Sequence, residues 1–235
     1  MKHLQKIVAL VLFTLLIACS STNEPFPTFP SNSKTKLNYL ALGDSYSIGQ
    51  SVCETCRFPI QLQDSLEKIL PSNKIISTKI IATTGWTTSN LKDAITSQNP
   101  PNNYDLVTLL IGVNNQYQYK PFSLYEQEFP ELVNIAIDRA KGIKANVIVV
   151  SIPDYAYTPF GNGNTTISTQ IDTYNFFAEN YCIENNVTFV NITDITRQGL
   201  IQPNLVASDG LHPSELAYSK FVERIFPKAK IIFGL

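Results

Sequence analysis

The sequence predicts an α/β fold whose central sheet is parallel, contains about five strands and is covered by helices on both faces. Short apolar runs rich in β-branched residues alternate along the chain with longer segments of helical periodicity. The apolar runs span residues 37–42, 75–82, 106–111, 147–152 and 187–192. Because a helical segment separates each run from the next, consecutive strands are expected to run parallel through crossover connections.

The helical patterns fill the stretches between these strands. They span residues 60–70, 89–97, 124–142 and 169–185. A last helix at 214–226 follows Pro213, a residue type favoured in the first turn of a helix. In folds of this class, ligand sites collect beyond the carboxyl ends of the strands. The residues directly after each strand are therefore the first candidates for chemistry.

The N-terminus resembles the signal sequence of an exported bacterial lipoprotein. Two basic residues, Lys2 and Lys6, precede an apolar run at 7–18, and about 12 apolar residues are too few to cross a bilayer. The letters LIAC at 16–19 resemble a lipobox, in which the cysteine becomes the acylated first residue of the mature chain. A plain signal peptide or an uncleaved anchor that happens to contain a cysteine is the alternative.

This interpretation divides the chain into three parts. Residues 1–18 are the predicted signal peptide, and residues 19–36, rich in Ser, Thr, Asn and Pro, are a flexible tether that Cys19 anchors to a membrane of the cell envelope. Residues 37–235 form one domain. We make no prediction about its oligomeric state.

Charge and histidine content narrow the classes of function. Without Lys2 and Lys6, 16 basic residues face 19 acidic ones. The absence of a Lys/Arg cluster gives no reason to expect a nucleic acid as partner. Loss of the signal peptide also removes His3 and leaves His212 as the one histidine, so sites that need two or more histidine ligands are excluded.

His212 has a candidate partner and a candidate nucleophile. Asp209 lies three residues before it, and Gly210 allows a turn through which the carboxylate can reach Nδ1–H and leave Nε2 free as a base. A polar loop that caps the last helix is the alternative. Ser45 follows the first strand after Gly43, which suits a nucleophile for acyl transfer. Its alternative is a serine in an ordinary turn.

Two further loops supply candidate hydrogen-bond donors. Gly85 follows the second strand and Asn114 follows the third. An ester hydrolase must stabilise the oxyanion of its tetrahedral intermediate with fixed donors. The backbone N–H groups of Ser45 and Gly85 and the side-chain amide of Asn114 would provide three.

Together these segments resemble the signature blocks of the SGNH (GDSL-type) hydrolases. The blocks occur in the family's order, as Gly43-Asp44-Ser45, Gly85, Gly112-Val113-Asn114-Asn115 and Asp209-Gly210-Leu211-His212-Pro213. Family members hydrolyse lipid esters, thioesters, aryl esters and O-acetyl groups on sugars, and they share a three-layer α/β/α sandwich. The resemblance implies Ser45 as nucleophile, His212 as general base and Asp209 as its orienting group, with neither metal nor organic cofactor.

One position departs from the family pattern, and one alternative function stays open. Asn115 stands where the family usually has aspartate, and we expect this to loosen the packing of the loop rather than to remove catalysis. A non-catalytic envelope protein that binds glycans or lipids in the same cleft is the alternative to an ester hydrolase.

The cysteines raise a separate possibility. Cys53 and Cys56 form a C-x-x-C pair before a helix, as in thiol–disulfide oxidoreductases. The pair lies about ten residues beyond the strand end, and an exported protein meets oxidising conditions, which favours a structural disulfide. Cys182 is predicted to be a buried thiol. Residues 153–164, rich in aromatic residues and glycine, form either a wall of the substrate cleft or a packed surface loop.

Overall fold

Five strands form one fully parallel sheet in the computed structural model, which describes residues 34–235. The strands are β1 (Thr35–Gly43), β2 (Lys74–Ala82), β3 (Leu106–Leu110), β4 (Val147–Val150) and β5 (Thr188–Val190). Their spatial order is β2-β1-β3-β4-β5. The chain therefore winds outward from β1 in both directions, and a crevice is expected where the order reverses, between β1 and β3.

Eight helices connect and flank the strands in the described part of the chain. They are α1 (Ser45–Ile48), α2 (Phe58–Glu67), α3 (Thr88–Gln98), α4 (Val113–Tyr117), α5 (Phe122–Arg139), α6 (Thr165–Asn185), α7 (Thr193–Thr196) and α8 (Glu215–Ile232). Helix α2 packs against α8, while α3 and α6 both pack against α5. With right-handed crossovers, these two groups cover opposite faces of the sheet. The predicted three-layer α/β/α architecture is confirmed.

The strand register brings three strand ends level with one another. Gly43, the last residue of β1, lies opposite Ala82 of β2 and Leu110 of β3. All five residues of β3 and the second half of β1 are buried, so the sheet centre is fixed by apolar packing on both faces. The loops that leave these three strands consequently emerge side by side at one edge of the sheet.

The structure moves several predicted boundaries by a few residues, and the start of β1 and the end of α8 are two of them. Strand β1 begins at Thr35, which the sequence assigned to the tether, and Thr35 pairs with Lys74 of β2. Helix α8 continues to Ile232, past Pro227, where the sequence predicted an end at residue 226. Pro227 has no N–H to donate within the helix, yet the buried Ile225 and Ala229 on either side of it keep the helix packed on the sheet.

The N-terminal predictions fall on residues that the structure does not describe. The signal peptide, Cys19 and the tether up to residue 33 lie outside the described residues. Within residues 34–235, no helix combines the length and the apolar character needed to cross a bilayer.

Candidate active site

One pocket at the carboxyl edge of the sheet brings four of the predicted site residues together. Ser45, Gly85, Asn114 and His212 all line it, and its cavity volume is about 170 Å³. The first three come from the loops after β1, β2 and β3, and His212 comes from the loop before α8. The pocket lies at the predicted crevice between β1 and β3.

Ser45 is held at the start of α1 by a tight turn. A side chain at position 43 would place its Cβ 2.1 Å from Ser47 Oγ and 2.4 Å from the Leu110 carbonyl oxygen, so only glycine fits there. Asp44 caps the helix, because its Oδ1 accepts a hydrogen bond from the Tyr46 N–H at 3.0 Å. Ser45 is the first residue of the helix, and its own N–H therefore has no partner within the helix.

His212 and Asp209 are in direct contact. Asp209 Oδ2 lies 2.6 Å from His212 Nδ1, and Asp209 Oδ1 accepts the backbone N–H groups of Leu211 at 2.9 Å and His212 at 3.0 Å. Because a carboxylate oxygen only accepts hydrogen bonds, Nδ1 of the imidazole must carry a proton. In a neutral ring Nε2 is then unprotonated and can accept a hydrogen bond. The Tyr46 ring packs on the imidazole with 5.2 Å between ring centroids. The side chain of His212 is thus fixed on two sides.

Ser51 is a site residue that the sequence did not reveal. Its Oγ donates to Asp209 Oδ2 at 2.6 Å, across 158 residues of chain. Burial alone would raise the pKa of Asp209, but hydrogen bonds from Ser51, from the His212 ring and from two backbone N–H groups hold that pKa well below its ordinary value. These hydrogen bonds therefore favour the ionised form of Asp209.

The disulfide predicted between Cys53 and Cys56 is present, two residues after Ser51. The two Cα atoms are 5.0 Å apart, and Cys56 is buried while Cys53 is exposed. Ser51 has a φ of +68°, a conformation that a serine adopts at some cost. The covalent loop begins at Cys53, close in sequence to the serine that contacts Asp209. Cys182 is buried as predicted, and burial raises the pKa of its thiol to about 12.

Asn114 is held between the loops that follow β1 and β2. Its Nδ2 donates to the Trp86 carbonyl oxygen at 3.1 Å and to Asp44 Oδ2 at 3.3 Å. Gly112, the residue before helix α4, has a φ of +128°, and a Cβ there would lie 2.5 Å from the Tyr125 ring. The amide is therefore oriented before any substrate binds.

The backbone N–H of Gly85 completes the predicted set of donors. It has no partner among the hydrogen bonds of the described residues, whereas the Gly85 carbonyl accepts a hydrogen bond from Gln118 Nε2 at 2.7 Å. Residue Trp86, next to it, is half-buried against the core and contributes its carbonyl to Asn114. Donors from three neighbouring strand ends thus border one pocket.

The carboxyl group of Asp44, beside this pocket, has a strongly raised pKa. It is completely buried, and burial raises its pKa to about 7 despite hydrogen bonds from the Tyr46 N–H and the Asn114 amide. The two protonation states of Asp44 therefore exchange near neutral pH. Since Asp44 Oδ2 is an acceptor for Asn114, the orientation of that amide is coupled to this carboxyl group.

Asn115 does not loosen its loop, which corrects the expectation from the sequence. It is completely buried; its Oδ1 accepts the Thr88 N–H at 2.9 Å, and its Nδ2 donates to Thr88 Oγ1 at 2.6 Å. Thr88 Oγ1 in turn donates to the buried carboxylate of Glu128. An aspartate at position 115 would lose the Nδ2 donor and would face a hydroxyl group already committed to another carboxylate. The asparagine is the residue that this network requires.

Residues 153–164 form a wall of the pocket, as one of the two interpretations of that segment predicted. Tyr155 and Phe160 line the pocket together with Tyr117 from the end of α4. The rings of Tyr155 and Phe160 each lie about 6 Å from the Tyr117 ring, between centroids. Part of the pocket wall is therefore aromatic.

Comparison with known proteins agrees with this fold. The sequence profile of the GDSL-like lipase/acylhydrolase family matches residues 41–220, most of the chain. No curated protein sequence is similar enough to count as a match. The structure of TesA superposes with a TM-score of 0.64 and 17% identity, covering 83% of this chain and 99% of TesA.

Two further solved structures share the fold at similarly low identity. A variant of Axe2, an acetyl xylan esterase from Geobacillus stearothermophilus, gives a TM-score of 0.62 at 18% identity, over 84% of this chain and 96% of its own. The psychrotrophic esterase EstA from a Pseudoalteromonas species gives 0.58 at 16% identity, over 84% of this chain and 99% of its own. The chain belongs to the GDSL-like lipase/acylhydrolase family and is a carboxylic ester hydrolase.

Proposed function

We propose that the protein hydrolyses carboxylic esters through a Ser45–His212–Asp209 triad without a cofactor. The observation that carries this proposal is the 2.6 Å contact between Asp209 Oδ2 and His212 Nδ1, made by a histidine that lines the same pocket as Ser45. The contact leaves Nε2 available to take the proton of a nucleophile. Ser45 is the nucleophile that family membership and its position at the strand end both favour.

The reaction then proceeds in two acyl-transfer steps. Ser45 Oγ attacks the ester carbonyl carbon while His212 Nε2 takes the Oγ proton, and the oxyanion that forms is held by the donors of Ser45, Gly85 and Asn114. The intermediate collapses to an acyl-enzyme, and the alcohol leaves with the proton returned by His212. A water molecule that His212 deprotonates attacks the acyl-enzyme, and the acid is released as Ser45 recovers its proton.

The pocket favours an ester with a short acyl group. Its volume of about 170 Å³ lies below the range of about 300–1,000 Å³ that is usual for pockets that enclose drug-sized ligands. Its walls are mostly apolar, from residues such as Val113, Tyr117 and Leu211. We therefore propose acetyl or similarly short acyl esters as substrates.

Hydrolysis of a series of p-nitrophenyl esters by the purified protein tests this function. We expect cleavage of the acetate, with kcat/KM falling as the acyl chain lengthens from acetate to octanoate. A fluorophosphonate should add once per chain, and peptide mass analysis should place the adduct on Ser45. If no ester in the series is cleaved and no adduct forms, the proposed function is wrong.

We also propose that the protein is exported and anchored to a bacterial membrane through acylated Cys19. The LIAC segment at 16–19 supports this, and so does the Cys53–Cys56 disulfide, which suits an oxidising compartment. In a bacterial host, the protein should sediment with membranes, while Cys19→Ser should remove it from the membrane fraction, since stable anchoring depends on acyl chains. Identical fractionation of both forms would contradict lipidation at Cys19.

A further inference from the structure

The pocket that holds Ser45 adjoins a second cavity on the surface. Tyr117, Tyr155 and Phe160 line both, and the second cavity has a volume of about 360 Å³. We call this cavity the aromatic groove. Its lining includes Gln116, Tyr117, Tyr119, Phe160, Asn164 and Gln170. A substrate whose ester lies at Ser45 would therefore extend along the aromatic groove.

Exposed aromatic rings dominate one side of the groove. Tyr117 is 49% exposed, Phe160 is 53% exposed and Tyr119 is 90% exposed. Tyr119 also has a φ of +54°, a conformation that is rare for a bulky side chain. Because Tyr119 is exposed, packing does not compensate for this strained backbone conformation, and such uncompensated strain is typical of functional positions. These rings offer flat apolar surfaces with polar edges.

Side-chain amides stand among the rings and are already oriented. The Tyr155 hydroxyl group donates to Gln116 Oε1 at 2.8 Å, and Gln116 Nε2 donates to Gln170 Oε1 at 2.6 Å. The exposed Gln170 has no acceptor for its own Nε2 among the described residues. The end of this hydrogen-bonded chain thus presents an N–H pair to a ligand in the groove.

The lining of the groove, which includes polar but uncharged side chains, disfavours several classes of ligand. No charged side chain is among the described residues that line it. A phosphate or carboxylate ligand would find no cation there. A long acyl chain would bury Nε2 of Gln170 without a hydrogen-bond acceptor, which is unfavourable. A sugar ring suits both the aromatic rings and the amides of the groove. Its C–H faces pack on aromatic rings, and its hydroxyl groups form hydrogen bonds with amides.

We propose that the aromatic groove binds the sugar rings of an O-acylated oligosaccharide, which makes a glycan the alcohol part of the substrate. This inference rests on the proposed ester hydrolysis at Ser45. It assigns Tyr119 and Gln170 as binding residues that touch the glycan and take no part in the chemistry. The short acyl group enters the pocket beside Ser45, and the glycan leaves along Tyr117 and Phe160.

The test compares Tyr119→Ala and Gln170→Ala with wild type on substrates with and without sugars. Partially O-acetylated cellohexaose, xylohexaose and chitohexaose are the glycan probes, with glucose pentaacetate as the monosaccharide. For the preferred hexasaccharide we expect kcat/KM to fall about tenfold in each variant, mainly through KM, because one stacking surface or one hydrogen bond is lost. Hydrolysis of p-nitrophenyl acetate should stay within about twofold of wild type. Phe176→Ala, which removes an exposed ring of α6 outside the groove, is the matched control and should match wild type on every probe.

The outcomes separate the two proposals. If wild type cleaves no p-nitrophenyl ester of the series and forms no fluorophosphonate adduct, the function at Ser45 is refuted. If wild type cleaves p-nitrophenyl acetate, either of two results refutes the glycan groove while ester hydrolysis stands. The first is that the hexasaccharides are cleaved no better than glucose pentaacetate. The second is that the variants lose the p-nitrophenyl and sugar activities equally. Selective loss of p-nitrophenyl octanoate cleavage in the variants would instead make the groove an acyl-chain site.

Discussion

Ser45→Ala is expected to lower the rate of p-nitrophenyl acetate hydrolysis by about 10³-fold to 10⁶-fold, the range seen when a triad nucleophile is removed. Without Oγ no acyl-enzyme can form, and only the oxyanion donors and the positioning of the ester remain. The measurement is kcat at saturating ester, together with fluorophosphonate labelling, which should disappear.

The fold should survive this substitution. Ser45 is 3% exposed, and its side chain makes no hydrogen bond to another described residue that alanine would break. Circular dichroism and the melting temperature should therefore match wild type closely. A folded Ser45→Ala protein with wild-type activity would show that the nucleophile lies elsewhere.

Ser47→Ala is the matched control for the nucleophile. Ser47 lies on the same short helix and is completely buried, and its Oγ has no hydrogen-bond partner among the described residues. Removing an unsatisfied buried hydroxyl group is neutral or mildly stabilising. The Ser47 variant should keep both its activity and its labelling, which would locate the effect at Ser45 rather than in the turn.

The sequence predicts the sheet and the main site because both depend on local signals. Each strand is an apolar run long enough to be recognised, and Ser45, Gly85 and Asn114 directly follow such runs. Level strand ends in a parallel sheet then bring these residues together. Asp209 and His212 are three residues apart, so their contact is also encoded locally.

The parts that the sequence does not predict depend on contacts between distant segments. Helices α1, α4 and α7 have four or five residues each, too few to show a helical period. Ser51 reaches Asp209 only because the loop after α1 folds towards the loop before α8. The fit of Asn115 follows from Glu128, which is on another helix and touches the same threonine hydroxyl group.

Asn114→Ala is expected to reduce kcat by about 10²-fold to 10³-fold, the usual effect of losing one oxyanion donor. KM should change little, because the amide is proposed to bond the oxyanion of the transition state more strongly than the ester carbonyl of the ground state. In the free protein both N–H bonds of this amide point to acceptors, Trp86 O and Asp44 Oδ2. The bond to Asp44, at 3.3 Å, is the longer one and the one we expect to be exchanged for the oxyanion.

The same variant should show a pH-dependent loss of stability through Asp44. Its folded-state pKa is raised from 3.8 to about 7, so the ionised form costs stability, and the protein loses stability as pH rises towards and through 7. The hydrogen bond from Asn114 lowers the pKa of Asp44, so its removal raises the folded-state pKa of Asp44 further. The melting temperature of Asn114→Ala should therefore fall below that of wild type more at pH 8.5 than at pH 5.5.

Asn115→Ala separates catalysis from packing at this loop. Asn115 is buried and bonds Thr88, but it does not line the pocket. Its loss should lower the melting temperature at both pH values while leaving kcat of the folded protein near wild type. If instead Asn114→Ala keeps its kcat, or if Asn115→Ala loses as much kcat as Asn114→Ala does, the oxyanion is stabilised by other groups. The backbone N–H groups of Ser45 and Gly85 would then be the donors to examine, since both lack partners within the described residues.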